Sequence, residues 1–459
     1  MEIIVNPSRE LWAALCRRAE SDDSVIEGRV RTILKRVRAG GDAALVDITR
    51  EVEGREVKSF AVSAAEVAEA AGQVSDAVKQ AIAAAAANIR AFHSAQKPAA
   101  VEVETLPGVR CVRRSLPIER VGLYIPGGSA PLFSTLLMLA IPAQIAGCRE
   151  IVLCTPAGRD GKIAPAVLYA ASFCGIETIY SLGGAQAIAA MAFGTETIAP
   201  VSKIFGPGNR YVTKAKQMVT AMGVAIDMPA GPSEVMVLAD DTAEVSFVAS
   251  DLLSQAEHGP DSQAILVCQS EKFAADVAAE VARQLALLPR RDIAQKALSN
   301  SRIVVFTSRG GERTDTQQDM QSATPSEGYE QFAQSFDSQE NVLHVQIAFA
   351  NAYASEHLII SMREPWKVAE QITAAGSVFI GNYSPESAGD YASGTNHTLP
   401  TMGLARAWSG IGLDSFMHSI TYQELTREGL ESLGDTITTM AQAEGLDAHA
   451  AAVKYRLEK

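Results

Sequence analysis

At 459 residues the chain carries a prior of about three domains. With 47% apolar and 20% charged residues it can build a sizeable core, which excludes a disordered chain. Forty Lys and Arg against 53 Asp and Glu leave a net charge of −13 with no basic cluster to offset it, so a nucleic-acid partner is not expected. No apolar run has the length of a bilayer span, and Met1–Val5 lacks the basic segment and cleavage site of a secretory leader. Six scattered cysteines without a CxxC pair read as reduced thiols, so a cytoplasmic protein with no membrane partner is expected.

In chain order, residues from about Ser8 to Lys97 read as helical. Ser63-Ala-Ala-Glu66 forms a capping box, Ser75 a second N-cap, and Pro98 the stop. Strands and helices then alternate. Strand Arg120–Ile125 precedes helix Leu132–Ala146, and strand Ile151–Cys154 precedes helix Ala164–Cys174. Strand Thr178–Ser181, helix Ala185–Phe193, strand Lys203–Phe205, helix Tyr211–Met222 and strand Val224–Ile226 close this series. A second series runs through helix Ala243–Glu257, strand Ala264–Val267, helix Glu271–Leu287 and strand Arg302–Phe306. It resumes with helix Val342–Tyr353, strand Leu358–Ser361, helix Pro365–Thr373 and strand Ser377–Ile380, and from Tyr422 the tail reads as helical.

The expected fold class is therefore α/β: two Rossmann-like, doubly wound parallel-sheet domains without a GxGxxG fingerprint, plus small helical terminal extensions. Residues 1–124 and 234–382 are assigned to one discontinuous α/β domain, 125–233 to a second, and 383–459 to a C-terminal helical region. Residues 309–340 are rich in Gln, Ser, Thr, Asp and Gly and read as a surface insertion in the first domain.

Several residues could carry chemistry. Gln255 and His258 are spaced i, i+3 at a helix end stopped by Gly259-Pro260; with Asp390, His397, Glu444 and His449 they offer a zinc-like donor set. Taken alone, the pair reads more plainly as a capped helix end with a hydrogen-bonded histidine. Glu356-His357 opens a strand, where adjacent side chains point to opposite faces; one could act as a base and the other as a donor to an oxyanion, against the plainer reading of a solvated Glu beside a capping His. Gly127-Gly128, Gly183-Gly184 and Gly206-Pro-Gly208-Asn209 are tight βα turns that could admit a phosphate, and Ser233 either caps a helix or touches a ligand. Cys111 and Cys154 lack a neighbouring base and read as inert.

Taken together, five stretches are more specific. Val121-Gly-Leu-Tyr-Ile-Pro-Gly-Gly128, Phe205-Gly-Pro-Gly-Asn209, Ile226-Asp-Met-Pro-Ala-Gly-Pro-Ser-Glu234, Asp251-Leu-Leu-Ser-Gln-Ala-Glu-His-Gly-Pro260 and Ser384-Pro-Glu-Ser-Ala-Gly-Asp-Tyr-Ala-Ser-Gly-Thr-Asn-His397 closely resemble the histidinol dehydrogenase family. The resemblance implies oxidation of L-histidinol through L-histidinal to L-histidine with NAD+ and one Zn2+ per subunit. It implies zinc ligands Gln255, His258, Asp390 and His449, the last supplied across an intertwined homodimer through residues 383–459. It implies Glu356 as the base that activates water and His357 as its proton-transfer partner. Substrate contacts would fall on Ser233, Gln255, His258, His357, Asp390, Glu444 and His449. NAD contacts would fall on Tyr124, Gln186 and Asn209 of the 125–233 domain and the strand leading into it.

The chain departs from that pattern in the 309–340 insertion and in Ser355, which stands where a proline is usual and could loosen the start of the strand. Three rivals remain. A dehydrogenase of the same family could act on another amino alcohol or polyol, against which Glu444 and His449 count. A zinc hydrolase could use Glu356-activated water without a nicotinamide, against which Tyr124, Gln186 and Asn209 count. A non-catalytic protein could bind through its insertion.

Overall fold

The computed structural model describes residues 1–18, 24–127, 131–158, 160–308 and 339–458. The strands are, in chain order, β1 (Glu2–Val5), β2 (Val101–Leu106), β3 (Val109–Pro117), β4 (Arg120–Tyr124), β5 (Glu150–Thr155), β6 (Thr178–Ser181) and β7 (Lys203–Phe205). They continue as β8 (Ala225–Ile226), β9 (Glu234–Ala239), β10 (Gln263–Cys268), β11 (Arg302–Val305), β12 (His357–Ser361), β13 (Ser377–Ile380) and β14 (Met417–Leu425).

Two sheets are wholly parallel: a six-stranded one in the order β1-β11-β10-β9-β12-β13 and a five-stranded one in the order β6-β5-β4-β7-β8. Their central strands β4, β9 and β10 are apolar after a polar first residue, because helices cover both faces. Every residue of β9 and β10 is buried, and the helix Phe133–Ala146 is buried from Ser134 through Ala143. In the five-stranded sheet the chain winds outward from β4 through β5 to β6, then returns to β7 on the other side of β4. The crevice at a switch point of this kind is where open α/β sheets take ligands.

Other features differ from the sequence reading. Glu2–Val5 is a strand at the edge of the six-stranded sheet. Residues 101–117 form a β2–β3 hairpin that pairs with β14 in a three-stranded antiparallel sheet, so the tail is extended as far as Leu425 and helical only over Arg427–Ala443 and Asp447–Leu457. That sheet leaves Val101, Val103, Leu106, Ile420 and Tyr422 exposed. The capping box at Ser63 and the cap at Ser75 form as expected. The helical segment Ser24–Glu53 breaks at Gly41 (φ 51°), where a side chain would strike the Glu196 carboxylate.

The N-terminal helices pack on the five-stranded sheet: Val30, Leu34 and Leu45 meet Tyr124 and Val152, while Ile82 and Ile89 pack in the core with the helix Phe133–Ala146. Of residues 1–124, it is β1 and the segment around Trp12 and Leu15 that join the six-stranded unit. The 309–340 insertion falls almost wholly outside the described residues; helix Gln339–Tyr353 begins where it ends.

Candidate active site

The candidate site lies at the amino-terminal edge of the six-stranded sheet, around the starts of the neighbouring strands β9 and β12. Helix Val245–Ala256 follows β9 and returns to that edge, bringing Gln255 in its last turn and His258 just beyond it. Helix Glu386–Tyr391 puts Glu386 and Asp390 on one face by their i, i+4 spacing. Ligand-type atoms of His258, Glu386 and Asp390 all lie within 4.8 Å of one another, a group close enough to share one ion.

Gln255 completes the arrangement. With the amide turned so that donors meet acceptors, its oxygen accepts from His258 Nδ1 at 3.0 Å, while its nitrogen donates to Glu386 Oε1 at 3.1 Å and to the Glu234 carbonyl at 3.2 Å. The second oxygen, Glu386 Oε2, is buried without a hydrogen-bond partner among the described residues. Sequence reasoning missed Glu386, although its spacing from Asp390 on a short helix was a usable signal.

Glu356 and His357 sit beside this group, both buried. They are not directed to opposite faces: Glu356 immediately precedes β12, strand alternation does not reach it, and its Oε2 lies 3.7 Å from His357 Nδ1. Glu356 Oε2 accepts from the Glu234 backbone N–H at 2.8 Å, and His357 Nδ1 donates to the Glu234 carbonyl at 3.2 Å. His357 Nε2 is left 3.6 Å from Asp390 Oδ1. Behind them, Gly376 N donates to the Ser355 carbonyl and Ser377 N to that of Glu356, both at 2.9 Å, so the start of β12 is pinned despite the missing proline.

Electrostatics follow from burial and crowding. Burial pushes the Glu356 carboxyl up to about 8, opposed by His357, and pushes Glu386 up to about 8 as well. Burial works against the charge on His357, but Glu386, Glu356 and Asp390 outweigh it and raise the imidazole to about 10. Burial also acts on Asp390, where the neighbouring His357 prevails and keeps its carboxyl below the usual value. One imidazolium offsets only one of the three carboxylates in this dry place, which is why Glu356 and Glu386 hold their protons, and ionising them as well requires a cation. Carboxylate, imidazole and amide-oxygen donors suit a divalent metal such as zinc.

The five-stranded unit reaches this group through the helix that follows β4. Thr135 Oγ1 donates to His397 Nε2 at 3.0 Å, and His397 Nδ1 donates to the Asp390 carbonyl at 2.8 Å. His397 thereby uses both ring nitrogens in holding the Asp390 helix. Tyr124, Gln186 and Asn209 line the carboxyl-terminal side of the five-stranded sheet instead. Tyr124 is buried and its hydroxyl accepts from Gly184 N at 3.2 Å; Gln186 is buried beside Glu53. Asn209 is exposed and caps helix Arg210–Thr220 through Tyr211 N and Val212 N.

The glycines of these turns serve close approach. A Cβ on Gly183 would come within 2.5 Å of Pro156, one on Gly206 within 2.0 Å of the Tyr124 carbonyl, and one on Gly208 within 2.3 Å of Val212. Ser233 precedes strand β9, so it caps no helix; its carbonyl accepts from Gln263 N. Glu444, in the turn after helix Arg427–Ala443, and His449, on helix Asp447–Leu457, are exposed and stand outside the His258–Glu386–Asp390 group. Cys154 is fully buried, its thiol pushed up to about 12, which leaves no thiolate for nucleophilic attack; Cys111 lies half-buried in β3.

Comparison with known proteins gives one result. The family model described as Histidinol dehydrogenase matches residues 16–321 and 318–457, two segments that meet inside the polar insertion. The chain is similar to a histidinol dehydrogenase of Bacteroides fragilis (strain YCH46), 51% identical over 459 residues, covering 100% of this chain and 99% of that one. It is 48% identical over 449 residues to the histidinol dehydrogenase of Vibrio vulnificus (strain YJ016), covering 97% and 95%. The crystal structure of histidinol dehydrogenase from Elizabethkingia anophelis superposes with a TM-score of 0.90 at 48% identity, over 100% of this chain and 98% of that one.

Proposed function

The chain belongs to the histidinol dehydrogenase family, and we propose that it oxidises L-histidinol through L-histidinal to L-histidine as a zinc- and NAD+-dependent cytoplasmic homodimer. The observation that carries this reading is the His258–Glu386–Asp390 group beside the buried Glu356–His357 pair. Converting a primary alcohol to a carboxylate removes two hydrides and adds one water, so the site must manage an alcohol proton and then a water proton. When bound, zinc supplies a fixed charge that orients the substrate amine and imidazole, and NAD+ supplies the acceptor for each hydride.

The remaining work falls to the chain's own side chains. Gln255, His258, Asp390 and, from the partner subunit of the dimer, His449 would hold the metal, with Glu386 fixing the Gln255 amide. His357 would be the proton-transfer partner of Glu356, and since its three acidic neighbours hold it as the imidazolium, it can take the alcohol proton only after passing on its own. In the second oxidation Glu356 takes a proton from the water that adds to the aldehyde carbon. Its raised pKa, set by burial, makes it a stronger base than an exposed carboxylate once ionised. Ser233 and Glu444 would complete the substrate contacts. Tyr124, Gln186 and Asn209 would bound the dinucleotide at the β4/β7 switch point, where Asn209 and the start of its helix offer backbone N–H groups.

This scheme gives no part to a thiol, in keeping with the sealed environment of Cys154. The test is NADH formation from L-histidinol and from L-histidinal, with and without a strong chelator. Appearance of NADH from both substrates, abolished by chelator and restored by Zn2+, is expected. No NADH from either overturns the reading in favour of a hydrolase or another substrate.

A further inference from the structure

The Glu356–His357 pair does not hold itself in place; one residue's backbone does it. Glu234 donates its N–H to Glu356 Oε2 at 2.8 Å, and its carbonyl accepts from His357 Nδ1 and from the Gln255 amide, each at 3.2 Å. Three reacting or ligand-type side chains therefore take their orientation from a single peptide segment at the start of β9. Glu234 is the first residue of β9, paired in register with Gln263 of β10, but on the β12 side the pairing starts only at Val235. On that side something further holds it.

That something is Arg18, 216 positions away in sequence. Its guanidinium grips the Glu234 carboxylate with two parallel bonds, Nε to Oε1 at 2.9 Å and Nη2 to Oε2 at 2.7 Å, with Arg18 side-chain exposure of 9% and Glu234 of 1%. The fork is itself fixed: Nη2 also donates to the Tyr353 carbonyl and Nη1 to that of Cys16, each at 2.8 Å, and the guanidinium carbon lies 3.7 Å from the centre of the Tyr353 ring. The Met402 N–H closes the remaining side, donating to Glu234 Oε1 at 2.7 Å. Met402 adopts φ 59°, a left-handed conformation uncommon for a side-chain-bearing residue, and Ala354, two residues before Glu356, has φ 54°. Backbone conformations of this kind persist where the surroundings over-determine them.

We propose that Arg18 is a positioning residue for the proton-transfer pair, acting through Glu234 to hold Glu356 against its backbone donor. The proposal rests on the assignment of Glu356 to the water step made above. A planar fork is required, because an ammonium cannot make both parallel bonds and the stack on Tyr353 at once.

The experiment compares Arg18→Lys and Arg18→Ala with Glu356→Gln in the full-length, zinc-loaded protein, measuring kcat and KM separately for histidinol and histidinal, together with bound zinc. Arg18→Lys is expected to keep its fold and its zinc, to leave both KM values within about twofold, and to lower kcat on histidinal at least tenfold. Added guanidinium is expected to restore part of the rate of Arg18→Ala. If Arg18→Lys matches the parent on histidinal, or raises KM while kcat stands, the positioning role is overturned. If Arg18→Ala does not fold, the lysine variant decides alone. The Glu356→Gln control separates the two ideas: equal losses on both substrates there would defeat the water-step assignment, whatever Arg18→Lys does to kcat.

Discussion

One end of the Gln255 amide lies 3.1 Å from Glu386 Oε1 and 3.2 Å from the Glu234 carbonyl, and because a carbonyl only accepts, that end is the nitrogen and the oxygen faces His258 Nδ1. A free glutamine side chain is indifferent between its two ends. One held by an acceptor presents its oxygen, the only end that can bind a cation.

Removing Glu386 should therefore weaken metal binding even if Glu386 never touches the ion. Partners of this kind typically contribute about 10–100-fold in metal affinity. Glu386→Ala is expected to release Zn2+ to a competing chromogenic chelator at correspondingly lower chelator concentration, while the secondary structure stays intact. An unchanged competition curve would reduce Glu386 to a space-filling role.

For Glu356 the expectation is asymmetric. Glu356→Gln keeps the shape and can still accept from Glu234 N–H, but it removes the base. Turnover of histidinol to histidinal should persist, and supplied histidinal should be oxidised about 10²–10⁴-fold more slowly, the usual contribution of one general base. Stopped-flow NADH traces would show this as a first turnover that proceeds and a second that stalls. Cys154→Ser should leave both phases nearly as they were, given that its thiol is sealed in the core.

The candidate site was legible to the extent that it is local. Gln255 with His258 and Glu356 with His357 are close neighbours in sequence, and Asp390 lies within a distinctive motif; the structure brings these five together. Glu234 was not legible as a site residue because its backbone, which any residue supplies, makes the contacts. Arg18 was not legible because nothing in a sequence pairs it with a glutamate 216 positions on. The parallel strands were readable from their apolar runs, since burial on both faces leaves a strong signal. The antiparallel β2–β3–β14 sheet was not: β2 is exposed along its length, β14 nearly so, and β14 reaches its partner from some three hundred residues away.

A second buried ion pair yields a prediction for the dinucleotide side. Lys216 pairs with Asp227, with side chains 4% and 1% exposed, and together they satisfy both backbone groups of Gly206: Lys216 Nζ donates to its carbonyl at 2.7 Å and Asp227 Oδ2 accepts from its N–H at 2.8 Å. Gly206 (φ 121°) lies against the Tyr124 carbonyl at the switch point. Lys216→Met breaks the pair and leaves a buried carboxylate, a loss of about 3–5 kcal/mol in stability. Adding Asp227→Asn removes that charge and should recover much of the melting temperature. The KM for NAD+ should stay raised by about tenfold in the double variant, equivalent to about 1.4 kcal/mol, with the KM for histidinol unmoved. A normal NAD+ KM in a stable double variant would mean that the turn is held without the pair.

The exposed positions of His449 and Glu444 bear on how many chains make one site. Glu444 ends helix Arg427–Ala443, which packs on β14, and His449 lies on helix Asp447–Leu457, which packs on that helix, next to a sheet whose Val101, Val103, Ile420 and Tyr422 are exposed apolar residues. Val101 and Val103 lie on one face of that sheet, opposite Arg113 and Cys111, and Ile420 and Tyr422 on the other, opposite Arg114 and Val112; a second copy embracing the sheet in a two-fold arrangement would carry each C-terminal region to its neighbour. If His449 serves the neighbouring site, subunits carrying His449→Ala and subunits carrying Glu356→Ala, each inactive alone, should complement when exchanged. Every mixed dimer then holds one site with both defects and one with neither, and random pairing at equal amounts gives about a quarter of the parent activity. Total zinc should not change on exchange, because each mixed dimer holds one site with its full donor set and one without His449, so activity rises while metal content stays level. Absence of recovery after subunit exchange has been verified by mass would place His449 in the service of its own chain.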